Sequence, residues 1–383
     1  MKNYFENHFD ETAALLILIR YARSAAALRQ LFEKFDTAES ILSAGKKVWR
    51  AAGISEKACA QILVPDLVRL EQDLEWCDHP QHHVIAWHSV DYPSLLKRAE
   101  SPPPALFVIG NIDLLWHPQI AVIGSRHPTP GGKDNARQFS REFAQAGWCV
   151  TSGLAEGIDT SAHCGAMEAR IDQKIGKTIA VVATGLDLVY PEQNHDLMQA
   201  IATHGAIVSE HPPGTPPLKE HFPSRNRIIA GLSLGCLVVE AAERSGALIT
   251  ARLAAEIGRE VFAIPGSIHN PMTRGCHKLI RQGAVLVEKP VELVEALQPV
   301  AIELADALRG RLNPTELDAA PRKQGSVKIQ YKPIWEALGH DWVNLDQLVE
   351  RTGLTTPELS SMLLIMELEG IITVADGRYT RNT

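Results

Sequence analysis

From Ile120 to about Leu297, short apolar runs alternate with amphipathic stretches, and no other feature restricts the fold as much. The runs are Ile120–Ile123, Cys149–Thr151, Thr178–Ala183, Ala206–Val208, Cys236–Glu240, Glu260–Ile264 and Ala284–Val287. Between them Asp134–Ala146, Thr160–Ala169, His195–Thr203, Ile228–Leu232, Leu248–Ile257 and Cys276–Gln282 carry apolar residues at helical spacing. Strands separated by helices are joined by crossovers. The pattern therefore predicts an α/β fold with a doubly wound, Rossmann-like parallel sheet. Such sheets take ligands in the crevice beyond the carboxyl ends of their strands.

The flanks read differently. In residues 1–78, Leu15, Leu16, Leu18 and Ile19 lead into Leu28, Leu31 and Phe32, and Gly53-Ile54-Ser55 breaks the pattern before another helix. This predicts a helical domain of the SAM or helix-hairpin-helix kind. Residues 79–298 form the extended Rossmann-like domain, opening with a short strand at Val84–Trp87 and an apolar run at Ala105–Gly110. A linker is expected over 299–330. Beyond it, Pro333–Leu338, Asn344–Thr352 and Thr356–Glu369 read as helices ahead of two strand-like segments, the pattern of a winged helix over 331–383. That segment holds four bases against eight acids, and its recognition-position helix, TPELSSMLLIMELEG, has no Lys or Arg. A duplex-reading helix supplies cations to phosphates, so protein contact is the expected role.

A net charge of −7 argues against a generally basic nucleic-acid binder. Any polyanion must then meet a local basic patch. Six scattered cysteines without a C-x-x-C pair fit reduced thiols better than disulfides or zinc. The start, MKNYFENHFDETAA, has acids where a signal peptide needs bases, and no run of about 18 apolar residues occurs. A soluble, cytoplasmic protein with no membrane partner is expected. His79, His82, His83 and His88 offer no matching carboxylates and no helical i, i+4 pair, so no metal site is expected.

The predicted strand ends carry small residues: Gly124-Ser125-Arg126, Ser152 to Thr160, Ala241 to Thr250 and Pro265-Gly266-Ser267. Small residues let a phosphate approach main-chain amides. Arg126 leaves the first strand straight into the crevice. The stretch KEHFPSRNRIIAGLS (219–233) adds three cations, Lys219, Arg225 and Arg227, with the aromatic Phe222 and the amide Asn226. Prolines keep its approach extended, and the helical pattern starts at Ser224. Cations at helix starts with an aromatic at the lip suit a phosphate chain whose bases stack. Phosphates are thus expected over helix N-termini at Gly124–Arg126 and Ser224–Arg227.

The turn GSRHPTPGG is not G-x-G-x-x-G, and no G-x-x-x-x-G-K-[ST] occurs, so no nucleotide cofactor is expected. Asp159 and His163 share an i, i+4 face, and Glu240 ends an apolar run. Asp159 is also an ordinary helix cap and His163 an ordinary core residue, while Glu240 has no evident partner for acid–base work.

Several segments match one family in order and spacing. They are YPSLLKRAESPPPALFVIGN (92–111), AVIGSR (121–126), TSGLAEGIDTSAHCGAM (151–167), ATGLDLVYPEQN (183–194), FPSRNRIIAGLS (222–233), VVEAAERSGALITARLAAEIGREVFAIPG (238–266) and GCHKLIRQGAVLV (275–287). The chain resembles the DNA-processing protein A (DprA, or Smf) family of bacterial natural transformation. The resemblance implies a homodimer whose Rossmann-like core binds and protects incoming single-stranded DNA and loads the RecA recombinase onto it. It implies no catalysis and no cofactor. Strand contacts then fall on Gly124, Ser125, Arg126, Lys219, Phe222, Asn226 and Arg227. The dimer and recombinase-facing surface falls on the segment Cys276–Leu286, with His277, Ile280 and Leu286 as contacts. A rival resemblance, to nucleotide phosphoribohydrolases of the lysine-decarboxylase-like type, lacks their P-G-G-x-G-T turn. This chain has Arg244-Ser245-Gly246-Ala247 there, with Glu256 well downstream.

Overall fold

The computed structural model describes residues 9–171, 174–312, 331–339, 342–368, 371–375 and 377–381. Its first five helices are α1 (Glu11–Ala22), α2 (Ala25–Phe32), α3 (Ala38–Ala51), α4 (Glu56–Leu63) and α5 (Leu67–Cys77). Each begins where a short polar side chain (Asp10, Ser24, Thr37, Ser55 or Asp66) accepts from the main-chain N–H three residues on. These helices pack directly onto the sheet. Leu16, Leu28 and Trp49 share one buried cluster with Phe107, Ala180 and Ile207 of its strands. Arg20 pairs with Asp73 through two contacts of 2.6 and 2.7 Å. Arg20 and Arg69 also donate to the Pro213 carbonyl, pinning the proline-rich loop that leads to residue 219.

The main sheet is built from β1 (His82–Ala86), β2 (Ala105–Gly110), β3 (Gln119–Ile123), β4 (Cys149–Ser152), β7 (Thr178–Val181), β8 (Ala206–Ser209), β9 (Gly235–Val238), β10 (Glu260–Ala263) and β11 (Val285–Leu286). Two short strands, β5 (Arg170–Ile171) and β6 (Lys174–Ile175), pair only with each other. The helices between are α6 (Ser94–Lys97), α7 (Pro130–Gln145), α8 (Ile158–Glu168), α9 (His195–His204), α10 (His221–Leu232), α11 (Ala247–Glu256) and α12 (Arg274–Arg281).

Strand order is β1-β2-β8-β7-β4-β3-β9-β10-β11. Pairing is parallel from β8 to β11, as the alternation predicts. The segment before it adds an antiparallel edge, β2 against β8 and β1 against β2. Only the one-turn α6 lies between β1 and β2, too little helix for a crossover. Period-two alternation splits β3 between two cores: Ile120 and Val122 face α7 and α8, while Ala121 and Ile123 face the α10 side.

The expected linker begins inside a helix. α13 spans Pro290–Leu312, and its Leu297, Val300 and Leu304 are buried with Tyr331, Ile334 and Leu338. The rest of the predicted linker, 313–330, lies outside the described residues. The terminal segment folds as expected for a winged helix: α14 (Lys332–Leu338), β12 (Val343–Asn344), α15 (Leu345–Thr352), α16 (Thr356–Leu368), β13 (Ile372–Ala375) and β14 (Arg378–Arg381), with strand order β12-β14-β13. Two of its four bases hold it together. Arg351 donates to the Ala337 carbonyl at 2.8 Å, and Arg381 bonds the Trp335 carbonyl and lies 4.6 Å over that residue's ring. Among the described residues no helix is long and apolar enough to cross a membrane.

Candidate nucleic-acid interface

The chain order reverses between β3 and β9. β4, β7 and β8 follow on one side of β3, while β9, β10 and β11 lie on the other. The loops leaving β3 and β9 therefore diverge and leave a crevice at the switch point, where doubly wound sheets bind ligands. A cleft of about 530 Å³ opens there, lined by both loops and by the first turns of α8, α10 and α11.

Gly124 and Ser125 are its floor. The Ser125 N–H donates to the Glu240 carbonyl at 2.7 Å, and Ile158 N–H donates to the Ser125 carbonyl at 3.1 Å. A Cβ on Gly124 would stand 2.6 Å from Ile158 Cγ1, so the two chains can close this tightly only without a side chain. Gly157, with φ 86°, abuts the Ser125 and Arg126 carbonyls from the other side. The Ser125 hydroxyl is turned in and accepts from His127 N–H at 3.0 Å. Arg126, by contrast, is exposed, its guanidinium 5.5 Å over the ring of Phe222.

No helix starts at Gly124–Arg126, contrary to expectation. α7 begins at Pro130, capped by Thr129, whose hydroxyl accepts from Gly132 N–H at 3.1 Å. α10 in turn begins at His221, not Ser224, and this early start decides which cation faces where. Phe222, Arg225, Asn226 and Ile229 recur at helical spacing and all line the cleft. Arg227 falls on the far side, where it pairs with Glu210. It is not a rim cation.

Arg225 faces the cleft but is only 6% exposed. Its guanidinium donates to the Gly153 and Val181 carbonyls and lies flat over Gly153, where a side chain would overlap it. Burial draws the Arg225 guanidinium below its usual value, and nearby Asp159 opposes that shift. Burial likewise pushes the Asp159 carboxyl up, against Arg225 and the Ala155 and Gly153 amides, whose N–H groups it accepts at 3.4 and 3.1 Å. Arg225 thus ties α10 to the ends of β4 and β7 through main-chain carbonyls, with the Asp159 carboxylate close enough to act on its charge. This corrects the expectation that Arg225 is a free strand contact. Asn226 accepts from Arg225 Nε at 3.2 Å and remains on the cleft wall. Lys219 is exposed just ahead of α10 and does not line the cleft.

Two further contributors carry no local mark in the sequence. Tyr190, 44% exposed, holds its ring 5.7 Å from that of Phe222, and both rings line a second pocket of about 150 Å³. The Arg126–Phe222 pair stands between this pocket and the main cleft, lining both. Arg244, exposed at the end of the β9 loop, is the second. Each sits inside a conspicuous segment, LDLVYPEQN and AAERSG, but nothing local says that the fold brings them to Phe222 and Arg126.

The acid–base candidates are spent on the scaffold. Glu240 accepts from the Thr129 N–H at 2.8 Å, the Thr129 hydroxyl at 2.6 Å and Asn270 Nδ2 at 3.4 Å, anchoring the start of α7. His163 is buried, with Nδ1 2.8 Å from the Thr178 hydroxyl, and burial draws its pKa down to about 3. The partner-surface candidates lie elsewhere. His277 Nε2 is 3.0 Å from the Gly266 carbonyl, Ile280 packs half-buried against the core, and Leu286 is 47% exposed on the edge strand β11. Of the histidines weighed as metal ligands, His82 Nδ1 lies 2.7 Å from the Trp76 carbonyl and His88 stacks on Phe32.

Comparison with known proteins agrees with this architecture. The profile of the DNA recombination-mediator protein A family matches residues 83–298, and that of the DprA winged helix domain matches 318–378. Protein Smf of Escherichia coli K12 is 40% identical over 335 residues, covering 87% of this chain and 86% of that protein. DNA processing protein DprA of Bacillus subtilis 168 is 44% identical over 216 residues, covering 56% of this chain and 71% of the relative. Among solved structures, DNA processing protein A of Streptococcus pneumoniae aligns with a TM-score of 0.65 at 34% identity, covering 74% of this chain and 97% of that one. The Helicobacter pylori protein, whose structure was described for its unique mode of binding single-stranded DNA, aligns at 0.51 and 30% identity over 57% of this chain and 97% of its own. With the switch-point cleft, the winged helix and matches of this extent, the chain belongs to the DNA recombination-mediator protein A (DprA/Smf) family.

Proposed function

We propose that the cleft binds single-stranded DNA, that two copies of the chain act together, and that the bound strand is protected and passed to the RecA recombinase. The observation that carries the reading is the Arg126–Phe222 pair, with Tyr190 beside it: an exposed cation, a half-buried ring and an exposed ring where the cleft meets the second pocket. Stacking on an aromatic ring requires an unpaired base, and a phosphate beside it meets Arg126 and Arg244. A duplex has no free base face to offer. The reading is of a binding protein, since Glu240, Asp159 and His163 all hold the scaffold. Residues 285 and 286 on the sheet edge supply an apolar surface for a second copy, and two clefts on one strand gain through effective concentration. Fluorescence anisotropy with labelled oligo-dT and a duplex of equal length tests the reading: oligo-dT is bound the more tightly, with a salt-dependent affinity.

A further inference from the structure

The cleft does not end at Arg244. Arg244, Ser245, Gly246 and Ile249 also line a larger groove of about 780 Å³, which runs along α11 between the sheet domain and the winged helix. Three exposed cations border that groove, Arg244, Arg252 and Lys278, against two carboxylates, Glu243 and Glu260, while Arg259 lines it buried and close to Glu367. Exposed cations thus outnumber carboxylates along it, on a chain whose net charge is −7. Arg252 and Lys278 are exposed. The Arg252–Glu256 contact of 3.4 Å is a solvent-exposed i, i+4 pair, worth little and readily exchanged for a phosphate. Thr356 and Ser360, on α16, line it from the winged-helix side. α11 has ten residues, about 15 Å of helix, so the groove has room for a stretch of backbone beyond the cleft.

We infer that the groove is the continuation of the single-strand path, with Arg252 and Lys278 holding successive phosphates and α16 of the winged helix serving as its outer wall. The inference rests on the single-strand reading of the cleft and deepens it. It also gives the cation-free α16 a role: its hydroxyl-bearing start lines the trough, with no base to read. A strand too short to leave the cleft does not reach these residues, while a longer one does.

The test uses the full chain, wild type and the Arg252→Ala/Lys278→Ala double variant. The probes are an oligo-dT of about six nucleotides and one of about twenty-five, within and beyond the range of a single small binding site. Both substitutions are at exposed positions. Removing two phosphate contacts lowers the slope of log affinity against log salt by about 1.4, which at 0.1 M salt corresponds to roughly a 25-fold loss. The expected result is that loss, with the lower slope, for the long probe and unchanged affinity for the short one, with the variant sedimenting as the wild type does. Unchanged affinity for the long probe overturns the inference while leaving the cleft reading intact. A long-probe loss accompanied by dissociation seen by sedimentation overturns it in favour of a groove occupied by a second copy, and equal losses for both probes overturn it by placing the two cations in the cleft. Failure of the wild type to bind either probe removes the cleft reading, and this inference with it.

Discussion

The guanidinium of Arg126 lies 5.5 Å over the ring of Phe222, although 95 positions separate them in the chain. One leaves the end of β3, and the other stands in the first turn of α10. Each covers part of the other's surface, and the proposed function has an arriving nucleotide engage both.

Arg126→Ala therefore weakens oligo-dT binding and lowers the salt slope by about 0.7, the share of one phosphate on a single strand. Phe222→Ala costs about 1–3 kcal/mol of binding free energy with the slope unchanged. Anisotropy titrations over a range of salt concentrations separate the two effects. A Phe222→Ala variant that keeps full affinity would show that no base stacks there.

Arg225→Met tests the buried role of this arginine. The variant leaves the Gly153 and Val181 carbonyls without their buried donor, a loss of about 1–3 kcal/mol for each such group. Denaturant unfolding should show a loss in that range. A variant that unfolds like the wild type but no longer binds oligo-dT would instead make Arg225 a strand contact.

Reading the sequence goes furthest where spacing alone decides the outcome. The parallel strands, their helices and the winged helix follow from apolar periodicity, and Gly124 to Arg126 sits where a strand end had to be. It fails where orientation depends on a helix start. With α10 beginning at His221, Arg225 turns inward and Arg227 turns to Glu210. Prolines ahead of Ser224 hide that start, because Pro223 is tolerated in a helix's first turn. Tyr190 and Arg244 are beyond reach for a different reason: which strand ends become neighbours is set by the order of strands across the sheet, and no local pattern encodes it.

Acid should destabilise the fold through histidines held neutral. Burial draws His163 to about 3, and draws His117 and His211 to about 4, against about 6.5 in an unfolded chain. Below pH 6.5 the unfolded state binds protons that the folded state refuses, so stability falls as pH drops towards these values. Each such histidine contributes up to about 1.4 kcal/mol per pH unit. Thermal unfolding from pH 7 to 4.5 should show a falling Tm, and His163→Gln should flatten the slope. An unchanged slope would mean that His163 is not held neutral.

Glu240→Ala should lower stability by about 1–3 kcal/mol, because the Thr129 N–H and hydroxyl lose their acceptor. Its oligo-dT affinity, measured where the variant is fully folded, should match the wild type. A variant of normal stability that lost a strand-directed activity would make Glu240 a reacting group after all.

Leu286→Arg should yield monomers by sedimentation and weaken binding to a long oligo-dT while leaving a short one unaffected, because the cleft is intact and only the second grip is lost. Leu286 is a cleaner probe than Ile280, which is half-buried against the core. Persisting dimers would move the partner surface elsewhere.

The most direct test compares the affinities of the wild type and the Arg126→Ala/Phe222→Ala double variant for a short oligo-dT and for a matched duplex at low ionic strength. The account predicts that the wild type prefers the single strand and that the double variant loses this preference while staying folded. Equal affinity of the wild type for both probes, or a double variant that still prefers oligo-dT, would contradict it.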